Sequence, residues 1–434
     1  MIGIALALFG VFLLLTVLGV PIAVSLGLGG ALAIVLANAD VLLFGSIAIP
    51  QNFLAAISKY PLLALPMFVL VGSVFNRAGV AQRLVTFALS IIGRGPGKLP
   101  LVAVAVAIVF AGISGSGAAS AAALGGVMLG AMARAGYAPA FSATVLGVAA
   151  AIDILIPPSI ALVVYSVMVP GASLLALFAG GVVPGLLSAL AIALPAYWLS
   201  RRHGFGGAER DLRRPPFWKS LREASWGLAA PVLILGGMRL GMFTPTEAAV
   251  VAVIYGFAIG LFVHRTIGFR DLHAILLEAA EVSAVIMLIM GFAGVFSYSV
   301  ITLGLADPMA VALRESLLGS TGTLLVLLAV FLAVGVFLDG MSIFLIFIPL
   351  LIPVMRAFAW DPVWFGILVT MSVAIGQFTP PMAVNLMVSS RLAGVSIEQT
   401  VPWVGWFVAA FALAMGLVLV WPGLALSLPK ALGY

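Results

Sequence analysis

The sequence predicts an all-α polytopic membrane protein with about a dozen spans and two inverted repeats, each with a re-entrant hairpin and a helix broken at a Pro-Pro pair. Three observations support this fold class. Of the 434 residues, 64% are hydrophobic and 8% are charged, whereas a soluble domain has roughly 45–50% apolar and about 25% charged residues. Apolar runs of about 20 residues, enough to cross a bilayer, recur along the chain. Glycine and proline landmarks of the first half recur in the second.

The apolar runs give the order of the predicted spans. They lie near 3–37 (two spans), 60–76, 84–111, 138–169, 172–199, 226–243, 246–263, 276–304, 309–356, 362–390 and 402–428. The run from Met1 to Val20 has no basic residue and no small-residue cleavage site, so it predicts a first span rather than a signal peptide. The segment from Gly45 to Tyr60 is short and half polar, which is typical of a helix that lies along the membrane interface.

The basic residues predict the orientation of the chain in the membrane. The longest hydrophilic stretch, Arg201 to Glu223, has seven basic and three acidic residues. The positive-inside rule makes this loop cytoplasmic and therefore puts Gly171 outside; a patch that contacts anionic lipid is the alternative. The formal charge of +6 is concentrated in loops between apolar runs, which argues against nucleic-acid binding.

An internal repeat appears when the chain is aligned with itself at an offset of 223 residues. The offset pairs Gly112 with Gly335, Met132 with Met355, Pro139 with Pro362, Pro157-Pro158 with Pro380-Pro381, Gly171 with Gly394, and Ser173 with Ser396. Related halves with interrupted hydrophobic segments at matching positions are typical of secondary transporters. Arg391, close to Gly394, favours an inverted second half, whereas Arg356 favours the same orientation. Simple kinks in packed helices are the alternative explanation of the two Pro-Pro pairs.

A glycine- and serine-rich run from Ala111 to Ser120 predicts the first hairpin. The stretch from Leu124 to Ala133 that follows it is too short to span before Arg134. Unpaired backbone groups are not tolerated in lipid, so such a turn lies at the surface or at a hairpin tip that faces a cavity. The short stretch after it favours the hairpin, and small residues that permit close helix packing are the alternative.

The second half has the matching elements. The run from Gly335 to Ser342 contains Asp339, which the repeat pairs with Ser116. An acidic side chain at membrane depth costs a few kcal/mol and faces a cavity, an ion or a partner. Each Pro-Pro pair frees the backbone carbonyls that precede it. Freed carbonyls and nearby hydroxyls suit a hard cation such as Na⁺, and the positive end of the next helix suits an anion.

Enzyme chemistry has little support in this sequence. There is no cysteine, and three histidines leave little scope for a metal cage or a proton relay. The stretch from Gly93 to Lys98 lacks the spacing of a phosphate-binding loop, and the stretch from Gly112 to Ser116 lacks the second glycine of a nucleophile elbow. The sequence therefore predicts a protein that is not an enzyme and that takes its energy from an ion gradient or from another subunit.

Three further acidic residues have structural explanations. Thr244-Pro245-Thr246-Glu247 predicts a capping box at a helix start. Glu278 and Glu281 are predicted to lie near membrane interfaces or to pair internally, without a role in binding.

Taken together, the motifs resemble the large membrane subunit of tripartite ATP-independent periplasmic (TRAP) transporters. The motifs are Gly19-Val20-Pro21-Ile22-Ala23, Leu65-Pro66-Met67-Phe68 with Gly72, Ile113-Ser114-Gly115-Ser116, Ile156-Pro157-Pro158-Ser159-Ile160, Phe243-Thr244-Pro245-Thr246-Glu247-Ala248-Ala249, Phe337-Leu338-Asp339-Gly340, and Thr379-Pro380-Pro381 with Asn385-Leu386. They occur in order over nearly the whole chain, and their joint occurrence is specific.

The resemblance implies a multi-pass subunit in the cytoplasmic (inner) membrane of a bacterium or archaeon. Such a subunit works with a small four-helix membrane subunit and a periplasmic substrate-binding protein. Family members import small carboxylate-type organic acids, are driven by Na⁺, and use an elevator-type movement of a transport domain against a scaffold in the lipid. An organic cofactor is not expected. A stand-alone ion-coupled carrier of organic anions is the alternative; a membrane-embedded enzyme or a channel fits the motifs less well.

The resemblance also implies binding residues. One Na⁺ site would use Ser114, the carbonyls around Asp153 and Ile156, and Pro158. A second Na⁺ site would use Gly335, Asp339, Gly376 and Thr379. The substrate would lie between the hairpin tips, near Ser116, Ser159 and Asn385, with Asp153 also within reach.

Asp153 departs from the family pattern, in which a small Gly-Thr-Leu-Gly-like run precedes the first Pro-Pro pair. Its repeat partner, Gly376, keeps the glycine. The carboxyl group of Asp153 is therefore interpreted as an extra cation ligand, a proton-coupling group or a determinant of an unusual substrate.

The predicted organisation has five parts. They are N-terminal scaffold helices with an interfacial segment (1–90), a first transport repeat (91–200), a basic cytoplasmic loop (201–225), further scaffold helices (226–310), and a second transport repeat with the C-terminal helix (311–434).

Overall fold

The computed structural model describes residues 2–38, 42–92, 95–169, 171–207, 215–315, 317–338 and 340–434, and these residues form helices joined by turns. The helices are α1 (Ile2–Val17), α2 (Ile22–Ala37), α3 (Leu42–Ile57), α4 (Ala64–Arg77), α5 (Val80–Ile92), α6 (Lys98–Ser114), α7 (Gly117–Arg134), α8 (Pro139–Ala150), α9 (Ile160–Met168), α10 (Leu174–Arg202), α11 (Phe217–Arg239), α12 (Pro245–Ala258), α13 (Phe269–Thr302), α14 (Ala306–Glu315), α15 (Gly319–Gly335), α16 (Gly340–Ala357), α17 (Pro362–Gly376), α18 (Val384–Ala393), α19 (Val401–Val420) and α20 (Gly423–Ala431). The fold is all-α, as predicted.

Four helical segments within the described ranges are long and apolar enough to cross a membrane. They are Leu174–Arg202, Pro245–Val263, Phe269–Thr302 and Ile397–Val420. Helices α4 and α5 together would make a fifth, although they are bent by 63° relative to each other. The other apolar helices that fall short of this length have 10–17 residues, and the two Pro-Pro pairs account for some of these breaks. The total of about a dozen crossings stays a prediction.

Helix starts follow local sequence signals. The predicted capping box of α12 is confirmed: the backbone N–H of Thr244 donates to Glu247 Oε2 at 2.8 Å, and the Glu247 N–H donates to Thr244 Oγ1 at 3.3 Å. Asp361 caps α17 by accepting from the N–H groups of Val363 and Trp364 at 2.9 and 3.0 Å. Both caps satisfy backbone donors that the first turn of a helix leaves without intrahelical partners.

Helix α13 organises one part of the molecule by packing against α2, α3, α4 and α16. The ring of Phe292 on α13 packs against Gly27 of α2, where a Cβ would lie only 2.5 Å from the ring. The centre of the same ring lies 5.0 Å from that of Phe53 in α3. The segment predicted to be interfacial is thus mostly helix α3, held against α13. Its position at the membrane interface stays a prediction.

The two sequence halves interlock through their short helices. The hairpin α6–α7 packs against α8, and α18 of the second half packs against both α7 and α8. In the second half, α15 packs against α17, and α16 packs against α9 of the first half. The broken helix of the first half (α8 and α9) therefore packs against α18 and α16 of the second half. The broken helix of the second half (α17 and α18) packs against α7 and α8 of the first.

Both Pro-Pro pairs lie between two short helices. The first pair follows α8 and a 3₁₀ turn at Ala151–Ile154 and precedes α9; the second lies between α17 and α18. Both Pro-Pro peptide bonds are cis. Two predicted features lie outside the described residues: Asp339, and the centre of the basic loop at 208–214.

Candidate functional site

The first hairpin turns at Gly115 and Ser116 and touches the first helix break. Gly115 has φ +63°, which glycine adopts without steric cost, and Ser116 is the extended N-cap residue of α7. A Cβ on Gly115 would lie 2.8 Å from the carbonyl oxygen of Pro158. The structure therefore brings Ser114 and Ser116 next to Pro158, three of the residues predicted for the site.

Asp153 lies fully buried in the 3₁₀ turn before the first Pro-Pro pair. Its Oδ2 accepts a hydrogen bond from Ser120 Oγ at 2.6 Å, and the Ser114 hydroxyl and the backbone N–H of Ser116 also face the carboxyl group. Its Oδ1 has no partner at hydrogen-bonding geometry and is shielded from solvent. An unpartnered carboxylate oxygen is costly in such a position, so this oxygen is suited to a cation.

Ser159 caps the helix that follows the first break. Its hydroxyl donates to the carbonyl of Ile154 at 2.6 Å and accepts from the N–H of Leu162 at 3.4 Å. The side chain is fully buried and occupied by these two backbone contacts. These contacts therefore stabilise the backbone on both sides of the Pro157-Pro158 pair.

The second break is built on a close helix crossing. A Cβ on Gly376 would lie 2.5 Å from the carbonyl carbon of Gly335, so α15 and α17 meet at two of the predicted Na⁺ ligands. Thr379 Oγ1 donates to the carbonyl of Ile375 at 2.7 Å, which leaves the hydroxyl oxygen available as an acceptor. The structure brings Gly335 and Gly376 together, with Thr379 three residues beyond.

Asn385 connects the second break to the first hairpin. Its Nδ2 donates to Gln377 Oε1 at 3.3 Å, and its backbone N–H donates to the Gln377 carbonyl at 3.1 Å. A Cβ on Gly117 would lie 2.7 Å from Asn385 Nδ2. The side chain of Asn385 thus lies beside the start of α7, one residue from Ser116. Gln377, which the sequence reasoning missed, holds it there.

A small cavity opens beside the first hairpin tip. We call it the tip cavity; it measures about 100 Å³ and is lined by Val69, Gly72, Ser73, Asn76, Ser114, Ser116, Ala119, Ile160, Glu278 and Val282. One wall is the hairpin tip, and the opposite wall comes from α4 and α13. The first turn of α7, which has no side-chain cap, begins at this cavity, and the first turn of a helix leaves backbone N–H groups without intrahelical partners. The helix dipole makes that wall suitable for an anion.

The sequence reasoning missed the α4 and α13 side of the tip cavity. Ser73 and Asn76 follow the Leu65-Pro66-Met67-Phe68 motif on α4, and a polar pair at that spacing was the available signal. Glu278 had been given no role. Its Oε2 lies 3.6 Å from Arg77, whose guanidinium also lies 3.7 Å from Asp271.

Helix breaks, hairpin tips and a polar cavity between packed apolar helices define a membrane transporter subunit. A family model described as "Tripartite ATP-independent periplasmic transporter, DctM component" matches residues 9–424. The chain belongs to this family of TRAP transporter components, which confirms the resemblance. The family and its relatives are permeases, which agrees with the prediction that the chain is not an enzyme.

Three relatives illustrate the range of the family. The chain is 38% identical to the isethionate TRAP transporter permease protein DctMQ of Oleidesulfovibrio alaskensis over 90% of its own length, and it spans only 61% of that relative. It is 34% identical to the C4-dicarboxylate TRAP transporter large permease protein DctM of Rhodobacter capsulatus, with 99% of both chains covered. It is 33% identical to the sialic acid TRAP transporter large permease protein SiaM of Vibrio cholerae, with 96% of both covered.

A solved structure shares the fold. The crystal structure of the Alcanivorax borkumensis YdaH transporter matches with a TM-score of 0.52 at 16% identity, covering 88% of this chain and 90% of that one. At this identity the likeness concerns the fold alone.

Proposed function

We propose that the chain is the permease subunit of a Na⁺-coupled, binding-protein-dependent importer of small organic acids in the inner membrane. The observation that carries this proposal is the meeting of the first hairpin tip with the Pro157-Pro158 break around Asp153, next to the tip cavity. This contact supports the proposal, because the proposed cation site and the proposed anion site would then adjoin the same hairpin. Sites on one hairpin can be coupled, because each ligand then stabilises the arrangement that the other one binds.

The first cation site would be formed by the free Oδ1 of Asp153, the hydroxyl of Ser114 and carbonyls around Ile156 and Pro158. Hard cations prefer such oxygen ligands. A bound Na⁺ would give Oδ1 of Asp153 the partner that it lacks among the protein atoms. The cation would supply positive charge near the hairpin tip.

The second cation site would lie at the crossing of α15 and α17. Carbonyls of Gly335 and Gly376 and the hydroxyl oxygen of Thr379 are its ligands in this proposal, and Asp339 would complete it. The contact of the two glycines supports the proposal, because it brings these backbone segments together.

We further propose an elevator movement. The two hairpins and the two broken helices would form the transport domain, while α13 and the helices α2, α3 and α4 packed on it, with a small four-helix partner subunit, would form the scaffold in the lipid. The tip cavity supports this division, because one wall comes from the hairpin and the other from α4 and α13. A periplasmic binding protein would deliver the substrate.

The substrate would carry an acidic group. The relatives are named for isethionate, C4-dicarboxylates and sialic acid, all of which do. The amide of Asn385, next to the first turn of α7, and the hydroxyl of Ser116 would contact it.

Reconstitution tests the proposal. We expect uptake of the ligand of the partner binding protein into proteoliposomes that contain this chain and its small subunit, only when an inward Na⁺ gradient and the binding protein are present. Uptake without a binding protein would instead identify a stand-alone carrier. Uptake that persists when K⁺ replaces Na⁺ would contradict the Na⁺ coupling.

A further inference from the structure

The α13 wall of the tip cavity has a charge opposite to that expected for an anion site. Among the described residues that line the cavity, Glu278 is the one charged side chain, and Ser73 and Asn76 of α4 also line it. The hairpin side of the cavity contains Ser114, Ser116 and Ala119, at the start of α7. The cavity therefore has a helix N-terminus on one side and a carboxylate among its other lining residues.

Glu278 retains capacity to accept hydrogen bonds. Its nearest cationic group, that of Arg77, is 3.6 Å away, which is longer than a normal hydrogen bond. Arg77 is also shared with Asp271 at 3.7 Å, and the side chain of Glu278 is 52% exposed. Because the Arg77 contact is longer than a hydrogen bond and is shared with Asp271, a ligand donor can compete with Arg77 for the carboxylate of Glu278.

We propose that Glu278 selects transported anions that carry a hydrogen-bond donor, a hydroxyl or an ammonium group, a few atoms from the acidic group. This inference rests on the proposed function, which places the acidic group at the hairpin tip. An anion without such a donor would place either a hydrocarbon group or a second negative group next to the carboxylate of Glu278. A hydroxyl or ammonium group instead donates to it, and a site built to bond such a group discriminates against analogues that lack it.

A ligand series tests this selection. Ethanesulfonate, isethionate and taurine share a two-carbon chain with a sulfonate and differ in having no donor, a hydroxyl or an ammonium group; propionate, 3-hydroxypropionate and β-alanine form the carboxylate series. Because the chain has no cysteine, Val282→Cys places a single thiol at the exposed edge of the cavity. Protection of this thiol from a maleimide, measured on the full chain with its small subunit in Na⁺ buffer, reports occupancy.

We expect isethionate and taurine, or their carboxylate counterparts, to protect at concentrations about tenfold below the compound without a donor. Glu278→Gln in the same background should remove most of the advantage of taurine, and Glu278→Asp should retain it. Glu281→Gln, an exposed neighbour on α13 outside the cavity, is the matched control and should leave the order unchanged.

The outcomes separate the two proposals. Equal protection by all members of a series, or a taurine advantage that survives in Glu278→Gln, overturns the selection by Glu278 and leaves the anion site intact. A complete lack of protection by both series overturns the anion site at the hairpin tip, and the selection with it.

Discussion

A single carboxyl group, that of Asp153, joins the first hairpin to the first helix break. It accepts from Ser120 on α7 while belonging to the 3₁₀ turn before Pro157-Pro158. Its second oxygen is buried without a partner. A buried carboxylate oxygen without a partner either destabilises the folded protein or binds a ligand. Only in the second case should Na⁺ stabilise the folded protein through this oxygen.

We therefore predict that Asp153→Asn, which keeps the shape and removes the charge, raises the Na⁺ concentration for half-maximal uptake at least about tenfold. Na⁺-dependent thermal stabilisation of the purified chain should weaken in parallel. Asp361→Asn is the control, because asparagine remains a good cap for α17. If Asp153→Gly leaves uptake, Na⁺ dependence and pH profile unchanged, Asp153 is not a cation ligand.

His264, just after the span that begins at Pro245, predicts a pH dependence of stability. Burial lowers the pKa of His264 below its usual 6.5, although its Nδ1 contacts the Ala78 carbonyl at 2.9 Å. Its Nε2 is buried without a partner. Because the folded state disfavours protonated His264, the folded protein is most stable above the pKa that this histidine has in the unfolded chain. Stability is lost as the pH falls from the unfolded-state pKa to the lower folded-state pKa.

The unfolding temperature of the native chain relative to His264→Asn should therefore fall between pH 7.5 and pH 5.5. Asparagine keeps a donor for the Ala78 carbonyl but does not titrate. His273→Asn, at an exposed position on α13, controls for the loss of an imidazole. A difference that stays constant over this pH range would exclude His264 as the cause.

At the level of elements, the crossing of α15 and α17 depends on the absence of side chains. A Cβ on Gly376 would lie within 2.7 Å of backbone atoms of both Gly335 and Leu332, which cannot yield as a flexible side chain can. We predict that Gly376→Ala lowers the free energy of unfolding by about 1–3 kcal/mol. Chemical or thermal unfolding in detergent measures this.

Gly405→Ala in α19 is the control, and we expect it to raise the free energy of unfolding instead of lowering it. No atom lies within 4 Å of a Cβ at that position, and alanine is favoured over glycine inside a helix by about 1 kcal/mol. Equal effects of the two substitutions would show that the crossing tolerates a methyl group.

The elements that were predictable are those with local causes. Two consecutive prolines remove two adjacent backbone N–H donors, so both Pro-Pro interruptions could be read directly from the sequence, whereas α10 continues through the single prolines Pro184 and Pro195. The capping box at Thr244 is equally local. The tip cavity was not predictable in full, because Ser73, Asn76 and Glu278 converge on the hairpin through packing between helices that are distant in sequence. The contact of Asn385 with the start of α7 likewise depends on the pairing of α18 with the first hairpin.

At the scale of the whole molecule, the prediction concerns relative movement. If the hairpin moves against α13 during transport, a covalent link between them must stop it. The chain has no native cysteine, so Ala119→Cys with Val282→Cys, on opposite walls of the tip cavity, gives a defined pair. We predict that a cleavable bifunctional thiol reagent abolishes uptake by this double variant and that cleavage of the link restores it.

A pair within the proposed transport domain is the control. A Cβ on Gly147 of α8 would lie 2.7 Å from Ser389 Oγ of α18, so cysteines at these two positions would be linked without joining the transport domain to α13. Uptake by that variant should survive the same treatment. Undiminished uptake by the linked Ala119/Val282 pair would contradict the elevator movement.

The position of Asn385 has one more consequence. This side chain is tethered to Gln377 at the second break and rests against Gly117 at the first hairpin. If cations bind at both breaks as proposed, a cation that orders one break would also restrict the conformations of the other, and the first binding event would meet part of the entropy cost of the second. In the proposed function, two separate ions would then bind cooperatively, and the half-filled permease would be less populated than two independent sites would make it.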